Sequence, residues 1–209
     1  MRKEEIIMEQ KISADILTSF PAVDEAAVDS LLQAEIAKDD TKFIVLDDDP
    51  TGVQTVHDIS VYTDWSVESI KSGLMEPQKV FYILTNSRGL TVDQTTAVHR
   101  EIAANIVTAA RETGKKYLVI SRSDSTLRGH FPLETQLLRE GLAAGGLMMD
   151  GEILCPFFKE GGRFTIGNTH YVRYGEELVP AAQTEFAKDK TFGYTHSDLP
   201  AYIEEKTDG

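Results

Sequence analysis

The sequence has almost no cysteine: Cys155 stands alone. No internal disulfide can form and no cysteine-based zinc site can be built. A chain with one thiol fits a reducing, cytoplasmic setting. No apolar run approaches the ~20 residues that span a bilayer, and the opening Met1-Arg2-Lys3-Glu4-Glu5 lacks the apolar core of a signal peptide. Basic residues are scarce, 21 Lys and Arg against 34 Asp and Glu, for a net charge of -13. That balance argues against nucleic acid or an anionic membrane as the main partner. It does not exclude a small anionic substrate, because a binding site is local. The phosphate-binding patterns G-x-x-x-x-G-K-[ST] and G-x-G-x-x-G after a strand are both missing. Gly141 to Gly146 follow a predicted helix and suit its C-terminal cap. The five histidines, His57, His99, His130, His170 and His196, show no metal-ligand spacing, so no metal site is expected. There is no internal repeat and no low-complexity stretch.

What is present centres on Phe43-Ile44-Val45-Leu46-Asp47-Asp48-Asp49-Pro50-Thr51-Gly52. Four apolar residues run into three carboxylates and a turn. A short apolar run bounded by turn residues reads as a buried parallel strand. Three adjacent acids cannot all sit unpaired in a core, so they belong at the strand's C-terminal end, where open α/β sheets bind ligands.

The remainder alternates strand and helix. Helices are predicted over Glu4 to Lys11 and Val23 to Lys38, separated by Phe20-Pro21. Short apolar strands follow from the alternation Ile59, Val61 and Trp65, at Val80 to Leu84, at Tyr117 to Ile120 and at Ile153-Leu154. Helices are predicted over Val67 to Met75, Val92 to Glu112 with Gly114 as its cap, and Pro132 to Ala144. Arg163 to Ile166 and His170 to Tyr174 read as a hairpin turning at Gly167-Asn168. A short helix closes the chain from Leu199 to Lys206. The pattern implies an α/β protein: an open, mostly parallel, Rossmann-like sheet with helices on both faces and a C-terminal β-hairpin appendage. Residues 1 to 40 read as a helical extension and 41 to 209 as the α/β domain.

Three strands end in loops rich in Asp, Ser, Thr, Arg and Gly: Asp47 to Gly52, Thr85 to Gly89, and Ser121 to His130. Parallel strands carry such loops to one sheet edge, which makes a composite site. Arg88, Arg122, Arg128 and Arg163 fall in or beside predicted strand-end loops. Guanidinium groups suit bidentate capture of carboxylate, and they also neutralise neighbouring acids. His130 can serve substrate or structure. Asp47-x-Asp49-x-Thr51 has, in addition, the form of the nucleophile motif of haloacid dehalogenase-like phosphatases, with Asp47 attacking phosphorus and Asp49 as acid and base. The paired acids that such enzymes use later in the chain find only a poor match at Met148 to Glu152.

A second set of motifs is more specific. Asp48-Asp49-Pro50-Thr51-Gly52, Thr85-Asn86-Ser87-Arg88, Asp124-Ser125-Thr126-Leu127-Arg128-Gly129, Cys155-Pro156-Phe157, Gly162-Arg163-Phe164-Thr165, His170-Tyr171-Val172 and Phe186-Ala187-Lys188-Asp189 occur in order. Together they resemble the four-carbon acid sugar kinase family, the threonate, erythronate and 3-oxo-tetronate kinases, from about residue 42 to the end. The resemblance implies a two-domain, ATP- and magnesium-dependent kinase whose N-terminal domain binds the sugar acid. The nucleotide-binding C-terminal domain is expected as a partner in cis or in trans, and assembly with like copies is also open. On this resemblance Asp48 and Asp49 bind substrate hydroxyls, one of them as general base. Thr51, Arg88, Ser123, Asp124, Ser125 and Arg128 complete the pocket, with Lys159 and Arg163 nearby. The rival is a sugar-acid-binding module without turnover. His130 stands where many members have Asn, and Asp47 where a small residue is usual.

Overall fold

The computed structural model describes residues 9–207. In chain order its elements are β1 (Ile12–Ser13), α1 (Glu25–Lys38), β2 (Lys42–Asp47), β3 (Val61–Tyr62), α2 (Val67–Met75), β4 (Val80–Leu84), α3 (Val92–Thr113), β5 (Tyr117–Arg122), α4 (Leu133–Ala144), β6 (Arg163–Ile166), β7 (Thr169–Tyr174), β8 (Glu177–Pro180) and α5 (Leu199–Thr207). They sort into two compact units. One holds residues 22–124 and 129–152, the other residues 9–21, 125–128 and 153–207 of the described chain.

The first unit is α/β. Its sheet has the order β3-β4-β2-β5, and every pairing is parallel. The apolar runs that predicted β2, β4 and β5 supply its strands. Ile44, Leu46, Phe81 and Ile83 point to one face and meet Ile70 and Leu74 of α2, Ile102 and Ile106 of α3, and Leu138 and Leu142 of α4. Ten side chains of this size, each worth about 1.5–3 kcal/mol when buried, give the unit its main cohesion. The helices begin and end where their sequences say. Thr91 and Gln94 form a reciprocal capping box on α3, and Gly114, at φ 68°, closes it. Because the strands are parallel, the segments after β2, β4 and β5 emerge at one edge.

The second unit is built on an antiparallel sheet of order β1-β8-β7-β6. The expected hairpin is β6 and β7, turning at Gly167 with φ 59°. It continues into β8 and then β1, both too short or too mixed to read from sequence. Ala14, Tyr171 and Leu178 form its small core. Ile153-Leu154 is not a strand; Ile153 lies 93 % exposed in an irregular stretch. The helix expected from Glu4 to Lys11 falls through residue 8 outside the described residues, and Glu9 to Lys11 are not helical.

Candidate functional site

The C-terminal edge of the parallel sheet gathers acids and guanidinium groups of the α/β unit. Asp47 ends β2 with 1 % of its surface exposed. Arg122, at the end of β5 and in register with it, places Nη1 3.2 Å from Asp47 Oδ1. Asp47 Oδ2 is buried without a hydrogen-bond partner. The turn that follows lies directly on this carboxylate, since a Cβ on Gly52 would come within 1.9 Å of Oδ2. Glycine is required there by close approach. Burial raises the Asp47 carboxyl above its ordinary range, against the opposing pull of Arg122.

Asp48 is the centre of the site. It is 2 % exposed and is gripped from two strand ends. Arg88, beyond β4, donates from Nε to Oδ2 at 3.0 Å and from Nη2 to Oδ1 at 2.7 Å, a bidentate fork. Ser123, beyond β5, donates its hydroxyl to Oδ2 at 3.1 Å. Burial pushes the Asp48 carboxyl up, and the bonds from Arg88 and Ser123 only partly offset it. Asp49 differs. It is partly exposed, accepts from the Thr51 amide at 2.8 Å and from the Thr51 hydroxyl, and has Arg88 Nη1 3.3 Å from Oδ2. The Thr51 contacts hold its carboxyl below the usual range. Thr51 thus shapes Asp49. Asp124 sits near enough for its charge to favour the Arg88 cation.

Asp48, Asp49 and Arg88, with Asn86, Gly89 and Leu90, line a cleft of about 410 Å³, a volume that suits a small molecule. Asn86 holds φ 59°, a left-handed conformation that Asn tolerates better than most residues. His130 is buried, and its Nε2 donates to the Leu90 carbonyl at 3.1 Å, so it supports the cleft wall. Behind the cleft lies a buried carboxylate that sequence reading missed. Glu134 of α4 accepts from Ser87 Oγ at 2.5 Å and from Ser121 Oγ at 3.4 Å, with His99 Nε2 at 3.7 Å. Its signal was available: Glu134 precedes Leu137 and Leu138 by one helical turn, on the apolar stripe. His99 stands in the same relation to Ile102 and Ala103 on α3.

The Asp124-to-Gly129 motif divides between the two units. Gly129, at φ 150°, belongs to the α/β unit; a Cβ there would lie 2.1 Å from Ser123 Oγ. Ser125, Thr126 and Leu127 belong to the other unit, where side chains fasten their carbonyls. His170 Nε2 donates to Ser125 at 2.7 Å, the Tyr194 hydroxyl to Thr126 at 2.8 Å, and the Tyr202 hydroxyl to Leu127 at 3.1 Å. Leu127 holds φ 65°, unusual for a branched apolar residue and a mark of a held backbone. Arg128 and Arg163 both lie over the Phe186 ring, 5.1 and 5.5 Å from its centroid, within cation–π range. Lys159 is exposed. So Asp48, Asp49, Thr51, Arg88, Ser123 and Asp124 come together in one unit, whereas Ser125, Arg128, Lys159 and Arg163 are placed in the other.

The phosphatase reading fails on geometry. A nucleophile must reach phosphorus, and Asp47 is sealed under the Gly52 turn. Among the described residues, no three His, Cys, Asp or Glu side chains group as a metal site, and none of their helices is long and apolar enough to cross a membrane.

Fold and edge together define an α/β unit with a carboxylate–guanidinium cleft. The chain belongs to a known family: residues 43–209 match the model of the sugar-binding N-terminal domain. Among solved structures it is similar to a Bordetella bronchiseptica protein described as a domain of unknown function (DUF1537) with bound citrate, a domain-swapped dimer. That likeness has 25 % identity and a TM-score of 0.53 over 77 % of this chain and 39 % of that one. A Haemophilus influenzae protein of the DUF1537 family shares the fold at 15 % identity and a TM-score of 0.55, over 79 % of this chain and 39 % of its own. The chain therefore spans about two fifths of these proteins' length. No curated protein matches it.

Proposed function

We propose that this chain is the substrate-binding part of an ATP-dependent kinase acting on a four-carbon sugar acid of the threonate, erythronate or 3-oxo-tetronate type. The observation that carries the reading is the Arg88–Asp48–Ser123 clamp, two members of which, Arg88 and Asp48, line the cleft. Arg88 also reaches Asp49, so one guanidinium orders two carboxylates, of which the part-exposed Asp49 is open to a substrate hydroxyl. The motif resemblance and the sugar-binding family support it. Citrate bound by the Bordetella relative is itself a hydroxy acid. Phosphoryl transfer is mostly positioning and charge stabilisation, and this unit supplies the acceptor's position.

Asp48 and Asp49 are the two candidates for taking the hydroxyl proton. Asp48 has the raised carboxyl suited to a base; Asp49 has the better access. Nucleotide and magnesium belong to the partner domain of the resemblance. The acids here are held by Arg88, Arg122 and Thr51 and do not fit a metal. A cytoplasmic setting and assembly with like copies complete the reading; the Bordetella relative is a domain-swapped dimer.

Calorimetric titration with threonate and erythronate tests the binding. One of these acids is expected to bind, and Arg88→Ala to weaken it at least tenfold; silence towards both overturns the substrate class. Arg128→Ala goes through the same titration with the same expectation, and unchanged affinity removes Arg128 from the proposal. Binding without phosphoryl transfer, once the nucleotide domain and ATP are supplied, favours the non-catalytic module.

A further inference from the structure

We propose that Glu134 is a positioning residue of the cleft: buried beside His99, its carboxylate fixes Ser87 and, through Ser87, the guanidinium of Arg88. The inference rests on the reading of this cleft as the sugar-acid site and adds the device that keeps it in shape. All of its parts lie in the α/β unit. A carboxylate is out of place on the apolar side of α4. Glu134 is 3 % and His99 1 % exposed. The stripes they sit on are otherwise apolar, with Leu137 and Leu138 after Glu134 and Ile102 and Ala103 after His99. Burying ionisable partners costs desolvation that their attraction does not dependably return, and apolar residues of similar volume often serve stability as well or better. Stability alone therefore does not account for Glu134.

Its carboxylate reaches the segment after β4. Oε1 accepts from the Ser87 hydroxyl at 2.5 Å, and Oε2 from the Ser121 hydroxyl of β5 at 3.4 Å. Ser87 is fully buried, and its Oγ also accepts from the Thr85 hydroxyl at 3.1 Å. The far end of the same segment is tied to the same helix start. His130 Nε2 donates to the Leu90 carbonyl at 3.1 Å, and the Glu134 amide donates to the His130 carbonyl at 3.0 Å. Ser87 to Leu90 is thus held at both ends by the entry to α4, and Arg88, Gly89 and Leu90 within it line the cleft. Arg88 is bonded directly to Ser87, so it cannot keep its place when Ser87 moves. Its fork on Asp48, at 3.0 and 2.7 Å, is a geometry that tolerates only about 0.5 Å of misplacement.

His99 gives the carboxylate a fixed neighbour. Its Nδ1 faces the Thr95 carbonyl at 2.9 Å. A carbonyl only accepts, so Nδ1 carries the hydrogen and the ring has one orientation. That orientation aims Nε2 at Glu134 Oε1, 3.7 Å away. The oxygen that receives the Ser87 hydroxyl is therefore the one that His99 faces.

Calorimetric titration of the 209-residue chain with threonate and erythronate, at a temperature where each variant is folded by circular dichroism, tests the assignment. Glu134→Ala and Ser87→Ala are each expected to weaken binding about tenfold, the worth of one hydrogen bond to a charged group. Ser87→Ala leaves the carboxylate in place and carries the test where Glu134→Ala does not fold. Glu134→Gln keeps an oxygen that accepts from Ser87 and is expected to hold affinity within about twofold of the parent. In an Arg88→Ala background, Glu134→Ala or Ser87→Ala is expected to change affinity no further. Loss of the effect there separates positioning from general support, which would subtract affinity in either background. Parent-like affinity in the folded alanine variants overturns the inference alone. So does an undiminished further loss in the Arg88→Ala background, or a glutamine variant as weak as the alanine one. A parent chain that binds neither acid overturns the inference together with the reading beneath it.

Discussion

Arg88→Ala removes the fork that holds Asp48 and leaves a carboxylate with 2 % exposure. Breaking a buried ion pair from one side costs about 3–5 kcal/mol. Asp48 keeps the Ser123 hydroxyl at 3.1 Å and has Arg122 Nη1 at 3.9 Å, so the lower figure applies, about 3 kcal/mol. At 2–4 °C per kcal/mol for a chain of this size, the melting midpoint is expected to fall by about 6–12 °C. The pH dependence discriminates further. Burial already raises the Asp48 carboxyl, and Arg88 opposes that rise; without Arg88 it climbs higher. A carboxyl with a raised folded value binds its proton more tightly folded than unfolded. Its contribution is fully present below the unfolded value, about 4, and is lost as pH rises through the folded value. The deficit against wild type is therefore expected to be small near pH 4 and to widen towards neutrality. Denaturant melts at pH 4.5 and 7.5 read it. A deficit that is flat, or larger in acid, refutes the account. In a double-mutant cycle with Asp48→Asn, the two substitutions should miss additivity by about 1 kcal/mol or more; additive effects would show that the pair is not coupled.

The remaining predictions use the same melts. Gly129→Ala combines an unfavourable φ with a Cβ placed 2.1 Å from Ser123 Oγ; a cost of about 1–3 kcal/mol is expected, and a neutral substitution would mean the loop rearranges freely. Tyr202→Phe deletes the hydroxyl that serves the Leu127 carbonyl and should cost about 1–2 kcal/mol, with Tyr194→Phe similar. Asp47→Asn removes a carboxyl that burial has raised, so stability should fall less steeply between pH 4 and 7 than in wild type; an unaltered slope shows that Asp47 does not titrate there.

Where the sequence was informative, the physics was local. The apolar runs of β2, β4 and β5 and the breakers around α2 and α3 mark those elements, because burial and capping act within a few residues. The acids after β2 could be placed at an exposed edge by cost alone, since three adjacent carboxylates have no place inside a core. Their separate fates could not be read. Asp47, Asp48 and Asp49 share a side chain and a neighbourhood, yet one is sealed under Gly52, one is forked by Arg88, and one is tied to Thr51 at the cleft. Those differences come from residues 40 and 75 positions away and from the way a turn folds back. β1 and β8 were missed for a related reason: a two-residue strand such as Ile12–Ser13 gains its hydrogen bonds only from partners 166 and 164 residues on, at Leu178 and Glu177.

The same logic explains why Asp124 to Gly129 is the most informative motif and the least interpretable from sequence. Read as a loop, it is a run of candidate ligands. In the structure two of its members hold no ligand role that distance or burial supports: Leu127 is a strained backbone position, and Gly129 is a space for the Ser123 hydroxyl. A motif of six residues is thus partly chemistry and partly the conformational conditions for it. The test is whether the two parts separate. Gly129→Ala should lower stability and displace Ser123, weakening the sugar-acid titration indirectly, whereas Ser123→Ala removes one hydrogen bond from buried Asp48 and should weaken the titration at a smaller cost in stability, about 1 kcal/mol. Equal loss of stability in both variants would show that Ser123 is there to brace Asp48 and not to position a ligand.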